Sequence, residues 1–116
     1  ALRNFLTKRS IKIFKRSNLE ENKDYNIGDF KFKCIYTPGH SKDSVTFYFE
    51  EDKKMIIGDF IFKESIGRTD FPGGSDTEMA ESINKIKEYP DDIELFPGHN
   101  ETTNLGYEKQ NNPYLK

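Results

Sequence analysis

The 116-residue sequence predicts an α/β domain in which short strands alternate with two helices. Apolar and polar side chains alternate from Phe30 to Thr37 and again from Val45 to Phe49, a pattern that is typical of half-buried strands. A helix start signal at Ser75 follows them, and a short apolar strand from Ile93 to Phe96 comes after that helix. The order strands, helix, strand, helix favours a layered α/β architecture over an all-β one.

Short polar turns separate the predicted strands. The charged segment Glu51 to Lys54 leads into the apolar run Met55 to Ile57, which ends at Gly58-Asp59. Ile11 to Phe14 alternates weakly and is predicted to form a further short strand. Together these segments predict a hairpin-rich sheet with one buried face.

Both helices have recognisable boundaries. Ser75 and Glu78 match a capping box, in which each side chain accepts a hydrogen bond from the other residue's backbone N–H. We therefore expect a helix from Asp76 to Tyr89, ended by Pro90, and a second from Leu105 to Asn111. The first should pack on the sheet through apolar residues at helical spacing, which are Met79, Ile83 and Ile86.

Composition and charge narrow the possible partners. The net charge of −2 gives no overall attraction to nucleic acid or to membrane surfaces, and no apolar run approaches the roughly 18 residues that span a bilayer. The single cysteine, Cys34, excludes an intrachain disulfide and fits a cytoplasmic location. It is predicted to be a core residue rather than a reactive thiol. The basic segment Ala1 to Asn18 fits a solvated surface, with a targeting peptide or a nucleic-acid arm as alternatives.

Three residues have the character of metal ligands. The two histidines, His40 and His99, each end a Pro-Gly-His tripeptide directly after a predicted strand, and Asp59 follows a glycine at the end of a third strand. Imidazole and carboxylate groups suit zinc, iron or manganese. A lone histidine is more often a surface or hydrogen-bonded residue, but the repeated context favours a ligand pair. The assignment of Asp59 as a ligand depends on its occurrence together with the two histidines.

Five segments together resemble metallo-β-lactamase-fold hydrolases of the glyoxalase II, or hydroxyacylglutathione hydrolase, type. They occur in the family's order and with similar spacing from Phe30 to the end. They are T-P-G-H-S-K-D-S-V (Thr37 to Val45), G-D-F-I-F (Gly58 to Phe62), I-G-R-T-D-F-P-G-G (Ile66 to Gly74), F-P-G-H-N-E-T-T (Phe96 to Thr103) and E-K-Q-N-N-P-Y-L (Glu108 to Leu115).

The resemblance implies a role for each candidate residue. His40 corresponds to a ligand of a first metal, Asp59 to the carboxylate that bridges two metals, and His99 to a ligand of the second. The implied cofactor is a pair of zinc ions, with iron or manganese as alternatives. Arg68 corresponds to a basic position that binds the glutathione moiety, and its alternative role is a surface ion pair with Asp70. No catalytic side chain is assigned.

The sequence also departs from the family pattern. The family's first motif, H-x-H-x-D-H, supplies most of the metal ligands and does not occur in residues 1–116. The expected fold is therefore the C-terminal half of the αβ/βα sandwich, a partial domain that binds metal weakly on its own. The missing half is expected to expose an apolar sheet face and to favour a homo-oligomer. That face would include Phe30, Phe32, Phe47 and Phe49.

The resemblance implies hydrolysis of a small-molecule thioester, such as an acylglutathione, by metal-activated water in the parent protein. Two alternatives stay open. A persulfide dioxygenase with a single iron has a similar G-R-T-D-F loop, although the Pro-Gly-Gly after Phe71 is closer to the hydrolase form. A non-catalytic remnant or binding module would account for the incomplete ligand set.

Overall fold

A mixed six-stranded sheet forms the centre of the computed structural model, which describes residues 19–99 and 101–116. A separate two-stranded sheet and two helices complete the described part. In chain order the elements are β1 (Asp24–Ile27), β2 (Phe30–Tyr36), β3 (Val45–Phe49), β4 (Lys54–Gly58), β5 (Ile61–Phe62), β6 (Ser65–Ile66), α1 (Asp76–Ile86), β7 (Glu94–Pro97), β8 (Thr103–Asn104) and α2 (Leu105–Asn111).

The strand order in the six-stranded sheet is β1-β2-β3-β4-β7-β8. The directions of these strands determine which loops lie at the same edge of the sheet. Strands β1 to β4 form an antiparallel meander, whereas β4 and β7 pair in parallel. A parallel pair needs a long crossover connection, and here that connection contains the β5–β6 hairpin and α1. Strands β2, β4 and β7 consequently run in the same direction, so their carboxyl ends meet at one edge of the sheet.

One face of the sheet is covered by the helices. Residues from both helices join sheet residues such as Met55 and Leu95 in one buried cluster. The helical residues in this cluster are Met79, Ile83, Ile86 and Leu105. The prediction that α1 packs on the sheet through Met79, Ile83 and Ile86 is therefore confirmed.

The opposite face holds a second buried cluster, so the prediction of an exposed phenylalanine surface is wrong. The side chains of Phe32, Phe47 and Phe49 are only 2%, 5% and 2% exposed, and Phe30, the fourth residue of the predicted surface, is half-buried against them. Their rings pack on one another, with centroids 5.6 Å apart for Phe32–Phe47 and 5.4 Å for Phe32–Phe49. Leu19 and Cys34 join this cluster, which confirms that Cys34 is a core residue. The surface on which self-association was expected is thus already buried.

Helix α1 begins as predicted but ends earlier. Ser75 Oγ accepts a hydrogen bond from the Glu78 N–H at 3.1 Å, whereas the Ser75 N–H donates to the Gly39 carbonyl at 2.8 Å instead of to Glu78. The other half of the capping box is therefore replaced by a bond to the loop before His40. The helix ends at Ile86 rather than Tyr89. The next residues form tighter turns, in which the Glu88 N–H donates to the Lys85 carbonyl at 3.3 Å and the Tyr89 N–H to the Ile86 carbonyl at 3.1 Å.

The remaining predictions have mixed outcomes. Helix α2 has the predicted bounds, and Asn104 caps it by accepting from the Tyr107 N–H at 2.7 Å. Strand β7 lies one residue later than the predicted Ile93 to Phe96. The predicted strand Ile11 to Phe14 and the basic segment 1–18 lie outside the described residues. Across the described part of the chain, no helix has the length and apolar character needed to cross a membrane.

Candidate metal centre

His40, Asp59 and His99 meet at the sheet edge where β2, β4 and β7 end. The Asp59 carboxylate lies between the two imidazoles: its Oδ2 is 3.6 Å from His40 Nε2, and its Oδ1 is 3.4 Å from His99 Nε2. Each carboxylate oxygen therefore faces a different histidine. The structure brings together all three side chains that the sequence singled out.

The backbone bond between β4 and β7 explains the closeness of Asp59 and His99. Gly58 pairs with Pro97 at the end of the parallel ladder, and the Gly98 N–H donates to the Gly58 carbonyl at 2.8 Å. Asp59 and His99 directly follow the two glycines. Two side chains that leave adjacent parallel strands at the same level must lie next to each other.

Two glycines allow the loops at this edge to approach closely. Gly39 has a φ of +147°, and a Cβ there would lie 2.6 Å from Met79 Cα on helix α1. A Cβ at Gly67 would lie 1.8 Å from the Asp59 carbonyl oxygen. No side chain fits at either distance, so glycine is required for the loops that carry His40 and Arg68 to pack as they do.

A backbone carbonyl fixes the orientation of His40. Its Nδ1 lies 2.8 Å from the Arg68 carbonyl oxygen. Because a carbonyl oxygen only accepts, Nδ1 is the donor in this bond, and the ring is oriented with Nε2 toward Asp59. A hydrogen bond on the far ring nitrogen is the usual support of a metal-ligating histidine. The ring of Phe71 stands edge-on to His40, with centroids 6.5 Å apart.

His99 is more exposed and is supported by an aromatic ring. Its side chain is 65% exposed, and the Phe62 ring stacks on it with centroids 6.3 Å apart and planes inclined by 27°. Phe62 is the last residue of β5, so the β5–β6 hairpin contacts the site through this ring. The motif G-D-F-I-F contained the signal for Phe62, but sequence reasoning gave it no role.

The donor set fits two metal ions that share one carboxylate. Two ligands on one ion at about 2.1 Å each, with tetrahedral angles, are separated by roughly 3.4 Å. The two observed nitrogen–oxygen separations match this value. Within residues 19–99 and 101–116, no group of three His, Cys, Asp or Glu side chains converges on one ion position. The arrangement thus offers two donor pairs, one formed by His40 and Asp59 and the other by Asp59 and His99.

Arg68 lines the same cleft, but its charge is paired. The cleft of about 750 Å³ contains the three candidate ligands, and the rings of Phe62, Phe71 and Tyr114 line it as well. The guanidinium of Arg68 donates to both oxygens of Asp70, at 2.8 Å and 2.7 Å, and lies 4.0 Å from the centroid of the Phe71 ring. The alternative role of Arg68, an ion pair with Asp70, is thus observed together with its position in the cleft.

The Arg68–Asp70 pair predicts a measurable titration. Hydrogen bonds from Arg68 lower the pKa of Asp70 from its usual 3.8 to about 2. The pair should therefore persist at all pH values above the usual value and be lost only as the pH falls toward about 2. Carboxyl ¹³C NMR should show Asp70 titrating near the lower value, and Arg68→Ala should return it to the usual range. A wild-type Asp70 that titrates near 3.8 would contradict the ion pair.

Comparison with known proteins agrees with this geometry. A sequence model of the metallo-beta-lactamase superfamily matches residues 4–99. The hydroxyacylglutathione hydrolase GloC of Haemophilus influenzae is 36% identical over 97 residues, which cover 83% of this chain and 46% of GloC. The "probable metallo-hydrolase YqgX" of Bacillus subtilis is 36% identical over 98 residues, 84% of this chain and 46% of YqgX. The chain thus spans about half the length of the curated relatives that it matches.

Solved structures show the same fold. The BLEG-1 B3 metallo-beta-lactamase superposes with a TM-score of 0.78 at 41% identity, covering 84% of this chain and 47% of that protein. TTHA1623, crystallised in a di-iron-bound form, gives 0.76 at 35% identity, with 84% and 47% covered. ETHE1 from Myxococcus xanthus gives 0.76 at 27% identity, with 82% and 44% covered. The family match, the fold and the three strand-end residues agree: this chain belongs to the metallo-beta-lactamase superfamily and carries part of its fold.

Proposed function

We propose that the full-length protein is a metal-dependent hydrolase of thioesters such as acylglutathiones, and that His40, Asp59 and His99 hold its metals. The observation that carries the proposal is the Asp59 carboxylate, which directs one oxygen toward each histidine. The similarity to GloC, whose name states hydroxyacylglutathione hydrolysis, supports the substrate class.

The residues of this chain have distinct tasks in such a reaction. When bound, the metal ions supply Lewis acidity and lower the pKa of water to roughly 7. Asp59 offers one oxygen to each of two positions, and the Arg68 carbonyl holds His40 with its Nε2 directed toward Asp59. The rings of Phe62 and Phe71 contact the imidazoles of His99 and His40 and reduce their mobility.

Zinc is the proposed metal, and iron is the main alternative. The di-iron form of TTHA1623 supports iron in both positions, and manganese is a further alternative because it prefers oxygen ligands such as the Asp59 carboxylate. A persulfide dioxygenase would require a single iron. The split of the Asp59 oxygens between two histidines supports the dinuclear hydrolase over that alternative.

Metal analysis combined with two assays tests this function. Full-length protein should contain two metal ions and hydrolyse an acylglutathione, and it should not consume oxygen with a persulfide substrate. One iron with oxygen consumption would establish the dioxygenase alternative instead. A protein that is folded and metal-free, with neither activity, would favour the non-catalytic binding module.

Arg68 is proposed to bind the acidic part of the substrate in competition with Asp70. A guanidinium has five N–H donors, and Asp70 engages two of them. Arg68→Ala should raise KM for an acidic thioester about 3- to 5-fold with little change in kcat, because an exposed ion pair contributes up to about 1 kcal/mol. Asp70→Asn should lower that KM, since it removes the competing carboxylate.

A thioester without a carboxylate serves as the control substrate for both variants. Its KM should not respond to either change. Equal effects on the acidic and the uncharged substrate would mean that Arg68 and Asp70 only maintain the loop.

The 116-residue chain alone should bind zinc weakly and turn over thioester poorly. Each donor pair supplies one imidazole and one carboxylate oxygen, whereas a catalytic zinc usually has three protein ligands. Calorimetric zinc titration beside a hydrolysis assay measures both properties. Stoichiometric sub-micromolar binding with measurable turnover would show that the chain is a complete catalyst.

A cytoplasmic location and a small-molecule substrate, without nucleic acid or membrane, complete the proposal. The buried thiol of Cys34 is compatible with a reducing compartment. Self-association stays a proposal, now without the phenylalanine surface that motivated it. Light scattering at several protein concentrations would measure it.

A further inference from the structure

We propose that Glu108 of helix α2 and Asn112, the residue that caps the end of this helix, are positioning residues, which hold the β5–β6 hairpin so that His40 and His99 keep their orientations. This inference deepens the proposed function and rests on it for the role of the histidines. Both side chains are fully buried in a molecule whose surface is highly charged. Burial of a carboxylate costs free energy unless hydrogen-bond donors surround it. The donors that contact Glu108 therefore indicate which segments it holds together.

The partners of Glu108 come from two different segments. Glu108 Oε1 accepts from the Glu64 N–H at 2.8 Å, at the turn of the hairpin. Its Oε2 accepts from the Thr103 hydroxyl at 2.6 Å, in β8. The carboxylate therefore joins the hairpin to the strand that follows the His99 loop.

Asn112 closes the network on the other side of the hairpin. Its Nδ2 donates to the Ser65 carbonyl at 2.9 Å and the Phe62 carbonyl at 3.3 Å, and it also lies 2.9 Å from Glu108 Oε1. Its Oδ1 accepts from the Tyr114 N–H at 2.9 Å. The buried amide of Asn112 thus forms hydrogen bonds with both strands of the hairpin and with the segment that follows α2.

The hairpin needs such support because it is small. Strands β5 and β6 have two residues each and form a sheet separate from the six-stranded one. Glu64 at its turn has a φ of +60°, a left-handed conformation that a non-glycine residue adopts at some energetic cost. An isolated two-stranded hairpin is at best marginally stable in water. The network from α2 offsets both weaknesses.

The residues that flank this hairpin on both sides belong to the candidate metal site. Asp59 and Phe60 precede it, and Gly67 and Arg68 follow it, with the Gly67 N–H bonded to the Phe60 carbonyl at 3.0 Å. The Arg68 carbonyl fixes His40, as described above. Phe62, whose carbonyl Asn112 holds, stacks its ring on His99. A hairpin that moved would therefore release both histidines together.

Two isosteric substitutions test the network in the full-length protein. Asn112→Asp replaces the amide donor with a carboxylate next to Glu108, so the bonds to Phe62 and Ser65 are lost. Glu108→Gln keeps an acceptor oxygen for Glu64, and its amide can donate to the Thr103 hydroxyl, so the network should survive. Asn111→Asp is the matched control, because it makes the same change one residue away at an exposed position that donates to Tyr107.

The readouts are the His40 tautomer and the zinc affinity. Imidazole ¹⁵N NMR of metal-free protein, at a pH where the ring is neutral, should show the Nδ1–H tautomer in the wild type, Glu108→Gln and Asn111→Asp. Asn112→Asp should lose this preference, and chelator competition should show zinc binding weakened about 10- to 100-fold, as for other changes behind a metal-ligating histidine.

A lowered melting temperature of Asn112→Asp with an unchanged tautomer and unchanged zinc affinity would overturn the inference and leave the network a purely structural role. Where Asn112→Asp does not fold, Asn112→Ala replaces it, since it removes the donor to the Phe62 and Ser65 carbonyls without adding a second buried carboxylate. The same two outcomes then decide. The tautomer is read without metal or substrate, so a wild-type protein that fails to hydrolyse thioesters would count against the proposed function alone.

Discussion

Replacing Asp59 with asparagine is expected to lower both the metal content and the thioester hydrolysis rate of the full-length protein by on the order of 100-fold or more. The asparagine side chain has the same shape, but it carries no negative charge and only one acceptor oxygen. In the wild type, Asp59 Oδ2 lies 3.6 Å from His40 Nε2 and Oδ1 lies 3.4 Å from His99 Nε2. An asparagine cannot offer an oxygen to the metal positions beside both histidines. Elemental analysis and steady-state kinetics measure the two effects.

Asp92→Asn is the matched control for this change. Asp92 is an exposed carboxylate that pairs with Lys53 at 2.9 Å, away from the cleft. Its substitution should leave metal content and kcat unchanged. If Asp59→Asn retained two metals and wild-type turnover, Asp59 would not be a bridging ligand.

Substituting Gly67 with alanine should have the largest effect on stability and should also disturb the site. The new Cβ would lie 1.8 Å from the Asp59 carbonyl oxygen and 3.3 Å from His40 Nδ1. The backbone must move, because the first contact involves no flexible side chain. We expect the free energy of unfolding to fall by about 3 kcal/mol or more, measured by urea denaturation.

Gly58→Ala separates steric overlap from backbone strain. Gly58 has a φ of +55°, but a Cβ there would meet no atom within 4 Å. Its substitution should lower the free energy of unfolding by only about 1 kcal/mol, the strain of a left-handed alanine. Equal losses for the two variants would contradict the close packing of Gly67 against Asp59.

The site could be predicted from the sequence because its residues follow local rules. His40, Asp59 and His99 each come directly after an apolar strand, and glycine precedes all three. Once the topology makes β2, β4 and β7 run in one direction, these strand ends must meet. The sequence did not contain that topology explicitly, and family resemblance supplied it.

Burial of polar and aromatic groups was harder to predict. Glu108 and Asn112 are polar and were assigned no role, although both are fully buried, since pattern reasoning places such residues on the surface. Their i, i+4 spacing, with Asn112 at the end of the predicted helix, was the available signal. The phenylalanines of β2 and β3 were expected to be exposed, because strand alternation does not reveal that they pack on Leu19 and on one another.

Sequence periodicity also does not predict contacts at the ends of helices and strands or in the loops between them. The capping signal at Ser75 was correct, but the bond from its N–H to the Gly39 carbonyl depends on a loop distant in sequence. The β5–β6 hairpin was not predicted, because strands of two residues have no detectable alternation. The Arg68–Asp70 pair was one of two open alternatives, and only coordinates place Arg68 in the pair and in the cleft together.

Anomalous diffraction from crystals of the metal-loaded full-length protein would locate the metal ions relative to Asp59. We expect two metal peaks, one beside His40 Nε2 and Asp59 Oδ2 and the other beside His99 Nε2 and Asp59 Oδ1. A single peak bound by both histidines would rule out a bridging role for Asp59, as would two metals that Asp59 does not join.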